Sequence, residues 1–204
     1  MVRSVPEPAA QPAAQPAAAQ AAANPDGPSA GLVRQQQAAR DALVQAQQLW
    51  SAGSHSAATD LLQQAVSVAE RSTGSSPSAA NSQTLSSLAR ELARMQLADG
   101  RASSAAELLV RLQPQLGQEA EYWALRGNAA QRLGRHQDSV SDYNAALRLR
   151  PNEQRWMLGA AVSLAAQGQT AEAGAMAERA RSVGPIAAEV RAYLRQTGVP
   201  INEP

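Results

Sequence analysis

The basic residues of this 204-residue chain define the chemistry open to it. All eighteen are arginine, which excludes a phosphate-binding-loop lysine, a Schiff-base lysine and a serine–lysine nucleophile. Cysteine is absent, which excludes disulfides, thiolate metal sites and cysteine nucleophiles. Binding of carboxylate ligands is still possible, because each guanidinium presents a planar fork of N–H donors that matches a carboxylate. With Lys+Arg 18 against Asp+Glu 17, no excess charge indicates nucleic acid or an anionic membrane as the partner.

The other titratable residues give no catalytic arrangement. His55 and His136 are too few for a three-histidine metal site, and each follows a glycine by two residues, as equivalent structural positions would. Asp138 and Asp142 lie four residues apart on a predicted helix, on a side that we expect to be exposed. No carboxylate pair comes with a general base or a nucleophile elbow. We therefore expect a non-enzymatic protein with no cofactor and no metal.

Composition favours helices. Phenylalanine is absent and isoleucine occurs only at Ile186 and Ile201, so residues that favour strands are scarce, whereas alanine, leucine, glutamine and arginine are abundant. We expect an all-α chain. No stretch approaches the roughly 18 apolar residues that would cross a bilayer, and the first residues show no apolar signal-peptide core.

The chain changes character near residue 28. Residues 1–28 repeat proline among alanine and glutamine, which predicts a disordered, extended spacer. From residue 29 onward, apolar residues recur at helical spacing. Residues 71–83 are rich in serine and interrupt that pattern, so we predict a polar loop there.

One spacing of 34 residues recurs along the chain. It separates successive glycines and prolines: Gly100 from Gly134, Gly134 from Gly168, and Pro151 from Pro185. Gly53 lies 47 residues before Gly100, which is one period plus the 13 residues of the 71–83 stretch. A fixed period of this size indicates a solenoid of stacked helical units.

These positions resemble the tetratricopeptide repeat, a 34-residue helix–turn–helix unit. The best copy has large, small and proline residues at the repeat's usual positions: Trp123 at 4, Gly127 at 8, Ser139 at 20, Tyr143 at 24, Ala146 at 27 and Pro151 at 32. Arg126 departs from the pattern, because position 7 is usually apolar. The resemblance implies a right-handed superhelical solenoid of about four repeats with a C-terminal cap. We assign residues 29–198 to this domain: repeats at 39–72, 86–119, 120–153 and 154–187, the cap at 187–196, and a tail at 199–204.

The resemblance also implies a ligand surface, the concave groove lined by the first helix of each repeat. Its polar and aromatic positions here are Arg40, Gln47, Trp50, Arg90, Arg94, Asn128, Gln131, Arg132 and Arg155. Such arginines either grip the carboxylates of an acidic peptide or serve only as a solvated face, with Glu91 and Glu121 as partners. Trp50 is a groove anchor or an interhelical packing residue. Trp123, Trp156 and Tyr143 are expected to be framework. Chaperone-binding repeats use lysines, which this chain lacks, so that activity is not implied.

A narrower resemblance covers the C-terminal half. Residues 132–152 and 155–173 look like the C-terminal repeats of the MshN family of MSHA pilus biogenesis proteins, whose members also place a proline-rich spacer before the repeats. That resemblance implies a scaffold of type IV pilus assembly, periplasmic and tethered to the inner membrane in a longer natural form. The alternative is a cytoplasmic adaptor or co-chaperone with an unrelated client. The partner is a protein or peptide in either case.

Overall fold

The computed structural model describes residues 28–201. The predicted spacer therefore lies outside the described residues except at its last position, as does the tail beyond residue 201. Within the described part the chain forms helices and no strands, in the order α1 (Pro28–Ser51), α2 (His55–Ser75), α3 (Ala79–Ala98), α4 (Ala102–Arg111), α5 (Gln113–Leu116), α6 (Ala120–Arg132), α7 (His136–Leu149), α8 (Gln154–Ala166), α9 (Thr170–Val183) and α10 (Ala188–Gln196). The expected all-α class is confirmed.

The described residues divide into two units, one that ends at Ala38 and one that begins at Ala39. The described part of the first unit is the N-terminal portion of α1, where Val33 is exposed. The second unit contains the rest of α1 and all the other helices. Among residues 28–201, no helix is long and apolar enough to cross a bilayer.

The 34-residue period corresponds to sharp turns between paired helices. Gly53, Gly100, Gly134 and Gly168 each adopt a positive φ, between 71° and 80°. At Gly134 the backbone N–H donates to Gln131, and the next N–H donates to Ala130, so the last carbonyls of α6 are satisfied within the turn. A side chain is strained in this left-handed conformation, which is why glycine recurs at the period.

The polar loop predicted for residues 71–83 is wrong. α2 continues to Ser75 and α3 begins at Ala79, so three residues separate the two helices. The hydroxyls of Ser72, Thr73 and Ser75 donate to carbonyls four residues earlier, which satisfies these side chains inside a helix. Asn81 then closes the short turn, because its side-chain amide donates to Ser76 O at 2.8 Å.

The inner surface is formed by the first helix of each pair. α3 contacts α6 and α6 contacts α8, whereas within residues 39–201 no comparably extensive contact joins α4 with α7 or α7 with α9. Helices that lie closer together on one side curve the stack toward that side. α3, α6 and α8 therefore line the concave face.

Small residues and leucines fill the space between the helices. Leu85, Leu88 and Leu92 of α3 are buried with Leu109 of α4, and buried alanines occupy the close contacts of the later pairs. At the C-terminal end, Leu194 of α10 is fully buried and Val199 is 4% exposed in the same apolar cluster. The predicted tail therefore begins with a residue that belongs to the core.

Candidate functional site

A cleft of about 230 Å³ opens on the concave face between α3, α6 and α8. We call it the inner cleft. Three residues predicted for the groove line it, each from a different inner helix: Arg94, Asn128 and Arg155. Its other lining residues are Glu121, Ala124 and Leu125 of α6, Tyr143 of α7 and Trp156 of α8.

Glu121 is the electrostatic centre of the inner cleft. Its carboxylate is buried and accepts hydrogen bonds from three guanidiniums: Arg94 at 2.8 Å, Arg150 at 3.0 Å and Arg155 at 3.1 Å. The arginines come from α3, the end of α7 and α8, so one carboxylate ties three helix pairs together. Arg150 and Arg155 also lie over the Trp156 ring, with Cζ at 4.8 and 5.6 Å from its centroid.

Burial raises the pKa of Glu121, but the hydrogen bonds and charges of Arg94, Arg155 and Arg150 outweigh it. The pKa is lowered overall from the ordinary value of 4.5, so the group is ionised at neutral pH. The arginines are about half exposed, and Arg155 is the most exposed, with 62% of its side chain accessible. Arg155 thus neutralises Glu121 and still presents N–H groups to the solvent side of the cleft.

Asn128 is held in one orientation by Arg132. The Arg132 Nε donates to Asn128 Oδ1 at 3.1 Å, and Arg132 Nη1 donates to Leu97 O at 2.7 Å. Because the Asn128 oxygen is engaged, its amide N–H groups are the part left to meet a ligand. Asn128 therefore presents N–H donors to the cleft, and Arg132, which is not a lining residue, fixes its orientation.

Tyr143 reaches the inner cleft through a slot made by two glycines. A Cβ on Gly127 of α6 would lie 3.2 Å from Tyr143 Cγ, and a Cβ on Gly159 of α8 would lie 2.6 Å from Cε2 and 2.8 Å from Oη. All three distances are closer than a Cβ atom normally approaches another atom, so glycine at both positions leaves room for the tyrosine side chain. Tyr143 is 5% exposed, and its hydroxyl has no hydrogen-bond partner among residues 28–201.

The remaining predicted groove residues lie outside the inner cleft. Gln131 donates to Gly159 O and Ser163 Oγ, both at 3.0 Å, and so joins α6 to α8. Three of the others contact residues outside the cleft: Arg90 lies 3.9 Å from Glu119, Gln47 donates a hydrogen bond to Glu91 at 3.4 Å, and the Trp50 ring stacks on the His55 ring with centroids 4.0 Å apart. Arg40 is exposed on α1.

Asp142 is buried, contrary to the exposed position expected for it. Its side chain is 3% exposed and forms a two-point ion pair with Arg126 of α6, with one bond of 2.8 Å between Arg126 Nε and Asp142 Oδ2. The Arg126 guanidinium also covers the Trp123 ring, with Cζ 4.4 Å from the centroid. Arg126 occupies a usually apolar repeat position because Asp142 compensates its charge. Asp138, one turn earlier, is exposed as expected.

Sequence reasoning missed several residues that shape the inner cleft. The repeat pattern places Glu121 on the groove face but gives it no role beyond pairing with arginines, does not single out Arg150, and assigns Tyr143 to the framework. Gly159 offers a signal, because glycine within a helix costs about 1 kcal/mol relative to alanine and therefore indicates close packing. Across the described residues, no group of three histidine, aspartate or glutamate side chains could hold a metal.

Comparison with known proteins supports the fold. Residues 120–153, which contain α6 and α7, match the tetratricopeptide repeat model. The fold is a tetratricopeptide-repeat solenoid. Among solved structures, the chain is similar to TTC0263, a thermophilic TPR protein of Thermus thermophilus, with 20% identity, a TM-score of 0.54, and coverage of 78% of this chain and 80% of that one.

Two further solved structures are similar at lower TM-scores. MamA of MSR-1 shares 22% identity over 74% of this chain and 97% of its own, with a TM-score of 0.47. MamA of AMB-1 shares 20% identity over 78% and 97%, with a TM-score of 0.46. No curated protein matches the chain in sequence. Tetratricopeptide-repeat domains generally serve as non-enzymatic scaffolds that bind proteins or peptides.

Proposed function

We propose that this protein is a non-enzymatic interaction scaffold whose concave groove binds an acidic, extended segment of a partner protein at the inner cleft. The observation that carries the proposal is the convergence of Arg94, Asn128 and Arg155 from three inner helices on one concave cleft. At about 230 Å³ the cleft is smaller than the roughly 300–1,000 Å³ pocket of a drug-sized ligand. It has the size for a side chain or a chain end of a longer segment.

The chemistry of the lining selects an acceptor-rich ligand. Arginine and asparagine N–H groups dominate it, and both oxygens of Glu121 are already engaged by guanidiniums. A ligand must therefore supply hydrogen-bond acceptors. A carboxylate should bind most tightly, because charge-assisted hydrogen bonds to arginine are roughly twice as strong as neutral ones. A basic segment would instead face the like charges of Arg94 and Arg155.

The pathway is a finer proposal. The resemblance of residues 132–152 and 155–173 to MSHA pilus biogenesis proteins supports a role in assembling a type IV pilus, in the periplasm and on a membrane tether. The predicted spacer before the repeats fits such a tether, because extended proline-rich residues span about 3.1 Å each. A cytoplasmic adaptor with another client is the alternative.

Binding of acidic segments is tested directly with the full chain. Acetylated hexaglutamate amide should bind the wild type at low salt, and hexaglutamine amide should bind more weakly, as measured by titration calorimetry. Arg155→Gln should weaken the acidic peptide about tenfold, whereas Arg148→Gln, an exposed arginine on α7, should not. Equal affinity for both peptides would contradict the proposal.

The pathway needs a separate experiment. The full chain is used as bait in extract from its own source, with Arg155→Gln and Arg148→Gln as comparison. Enrichment of pilus-assembly proteins by the wild type and by Arg148→Gln, but not by Arg155→Gln, would support the pilus role. Reproducible enrichment of clients unrelated to pili would overturn that role and leave peptide binding standing. An alkaline phosphatase fusion in the source organism, active only if exported, would test the location.

A further inference from the structure

The hydroxyl of Tyr143 is a polar group on a nearly buried side chain that the fold does not use. Tyr143 belongs to α7, an outer helix, and its ring passes between Gly127 and Gly159 to reach the inner cleft. The residue is 5% exposed, yet its oxygen is not among the fully enclosed polar atoms without a partner in residues 28–201, so the hydroxyl is reached from the open cleft. No group of those residues pairs with it, which leaves the hydroxyl available to water or to a ligand.

The other tyrosine of this repeat shows what a structural hydroxyl looks like here. Tyr122 is fully buried, and its Oη donates to Leu109 O at 3.0 Å, which joins α6 to α4. Phenylalanine would keep the ring contacts with both glycines and would lack only the oxygen, which also lies against Gly159. The Tyr143 hydroxyl therefore packs against Gly159 but makes no hydrogen bond among the described residues.

The electrostatic surroundings of this hydroxyl are positive. Burial raises the pKa of Tyr143 to about 12, while the charges of Arg132 and Arg155 act in the opposite direction. The hydroxyl thus keeps its proton at physiological pH and can donate it. An anionic acceptor placed beside it would experience two guanidiniums and would also lie near the N–H groups of Asn128.

We propose that Tyr143 is a specificity-determining ligand contact whose hydroxyl donates a hydrogen bond to a carboxylate of the acidic segment bound in the inner cleft. This inference rests on the proposed function and names a residue that the repeat pattern assigns to the framework. The slot explains how a residue of the outer helix α7 can reach the ligand. Gly127 and Gly159 lack side chains, which would otherwise cover the Tyr143 hydroxyl. Arg155 and Asn128 supply the neighbouring donors.

The test compares two substitutions that each remove one oxygen atom. Tyr143→Phe should weaken acetylated hexaglutamate amide by about tenfold or more, the value expected for a lost hydrogen bond to a charged group, and should leave the melting temperature near that of wild type. Tyr122→Phe, the matched control, should lower the melting temperature and leave the affinity unchanged. Calorimetry gives the affinities, and far-UV circular dichroism gives the melting curves.

Salt dependence separates a hydrogen bond from a charge effect. Tyr143→Phe should weaken binding by the same factor at low and moderate salt, whereas Arg155→Gln should also flatten the dependence of affinity on salt. If wild type binds hexaglutamate and Tyr143→Phe binds it equally well, the inference is wrong and the proposed function stands. If wild type shows no preference for hexaglutamate over hexaglutamine, the proposed function fails and this inference fails with it.

Discussion

Replacing Glu121 with glutamine tests whether one buried carboxylate holds three helix pairs together. Glu121→Gln keeps the size and one acceptor oxygen but removes the charge that Arg94, Arg150 and Arg155 share. We expect the variant to fold with the same helical content and to be less stable at neutral pH.

The magnitude follows from the burial of the partners. Glu121 has a 9% exposed side chain, but the three arginines are 48–62% exposed and regain water once the carboxylate is gone. Taking about 0.5–1 kcal/mol for each of the three pairs and subtracting about 1 kcal/mol for one neutral hydrogen bond, the free energy of unfolding should fall by about 0.5–2 kcal/mol. For a domain of this size that lowers the melting temperature by roughly 1–8 °C.

The effect should depend on pH in a defined direction. Burial raises the pKa of Glu121, and the three arginines lower it further than burial raises it, so the folded value lies below 4.5. A carboxylate with a lowered pKa stabilises the fold above its unfolded pKa, and that stability is lost as the pH falls through the folded value. The difference between wild type and Glu121→Gln should be full well above the ordinary pKa of 4.5 and should shrink as the pH falls from there through the lowered folded pKa.

Urea unfolding followed by circular dichroism at pH 7 and pH 3 measures both the loss of unfolding free energy and its dependence on pH. The control is Glu107→Gln, which removes the same charge from an exposed position on α4 with no ion pair among residues 28–201. A Glu121→Gln variant as stable as the control at pH 7, or a deficit of equal size at both pH values, would show that the three arginines do not stabilise the fold through Glu121.

Two further substitutions test the contacts around α7. Asp142→Asn should lower the free energy of unfolding by about 2–4 kcal/mol, because it leaves the half-buried Arg126 guanidinium without its carboxylate. Asp138→Asn, one turn away and exposed, should change that free energy by less than about 0.5 kcal/mol. Equal effects of the two substitutions in urea titrations would refute this prediction. Gly159→Ala should destabilise the fold by about 1–2 kcal/mol, because the added methyl group would overpack against Tyr143. Gly74→Ala, at an open helical position, should stabilise the fold slightly. If calorimetric melting temperatures rise in both variants, Tyr143 does not need glycine at position 159.

The sequence predicted features that depend on local backbone chemistry. Gly53, Gly100, Gly134 and Gly168 each mark a turn, because a left-handed residue between helices excludes most side chains wherever the turn lies. The all-α class was also predictable, because helix-favouring composition and helical apolar spacing are local properties of the sequence. The loop prediction for residues 71–83 failed because it rested on polar composition and the loss of apolar spacing, which do not prevent a helix. In a helix their hydroxyls bond to the preceding turn.

Features that depend on contacts between helices were harder to predict. Arg126 looked like a departure from the repeat and Asp142 like a surface acid, yet they form one buried pair across α6 and α7. Neither residue reveals the other when each is compared separately with a repeat pattern. Gly127 was recognised as a small residue, but the slot also needs Gly159 from the next repeat, 32 residues later.

Two predicted groove arginines that do not line the inner cleft, Arg90 and Arg132, differ in what they contact. Arg90 lies 3.9 Å from Glu119, whereas Arg132 bonds to Leu97 O and Asn128 and meets no carboxylate within residues 28–201. Arg132 also contributes to the positive field at Tyr143.

We therefore expect Arg132→Gln to weaken hexaglutamate binding severalfold and to reduce its salt dependence, while Arg90→Gln leaves both unchanged. Melting curves of the two variants must be compared as well, because Arg132→Gln removes two hydrogen bonds that join α6 to its surroundings. A larger binding loss in Arg90→Gln than in Arg132→Gln would move the acidic ligand away from the inner cleft and toward α3. Both arginines are groove candidates by repeat position, so we expect any difference to follow from the contact of Arg132 with Asn128, which lines the inner cleft, and from its charge at Tyr143.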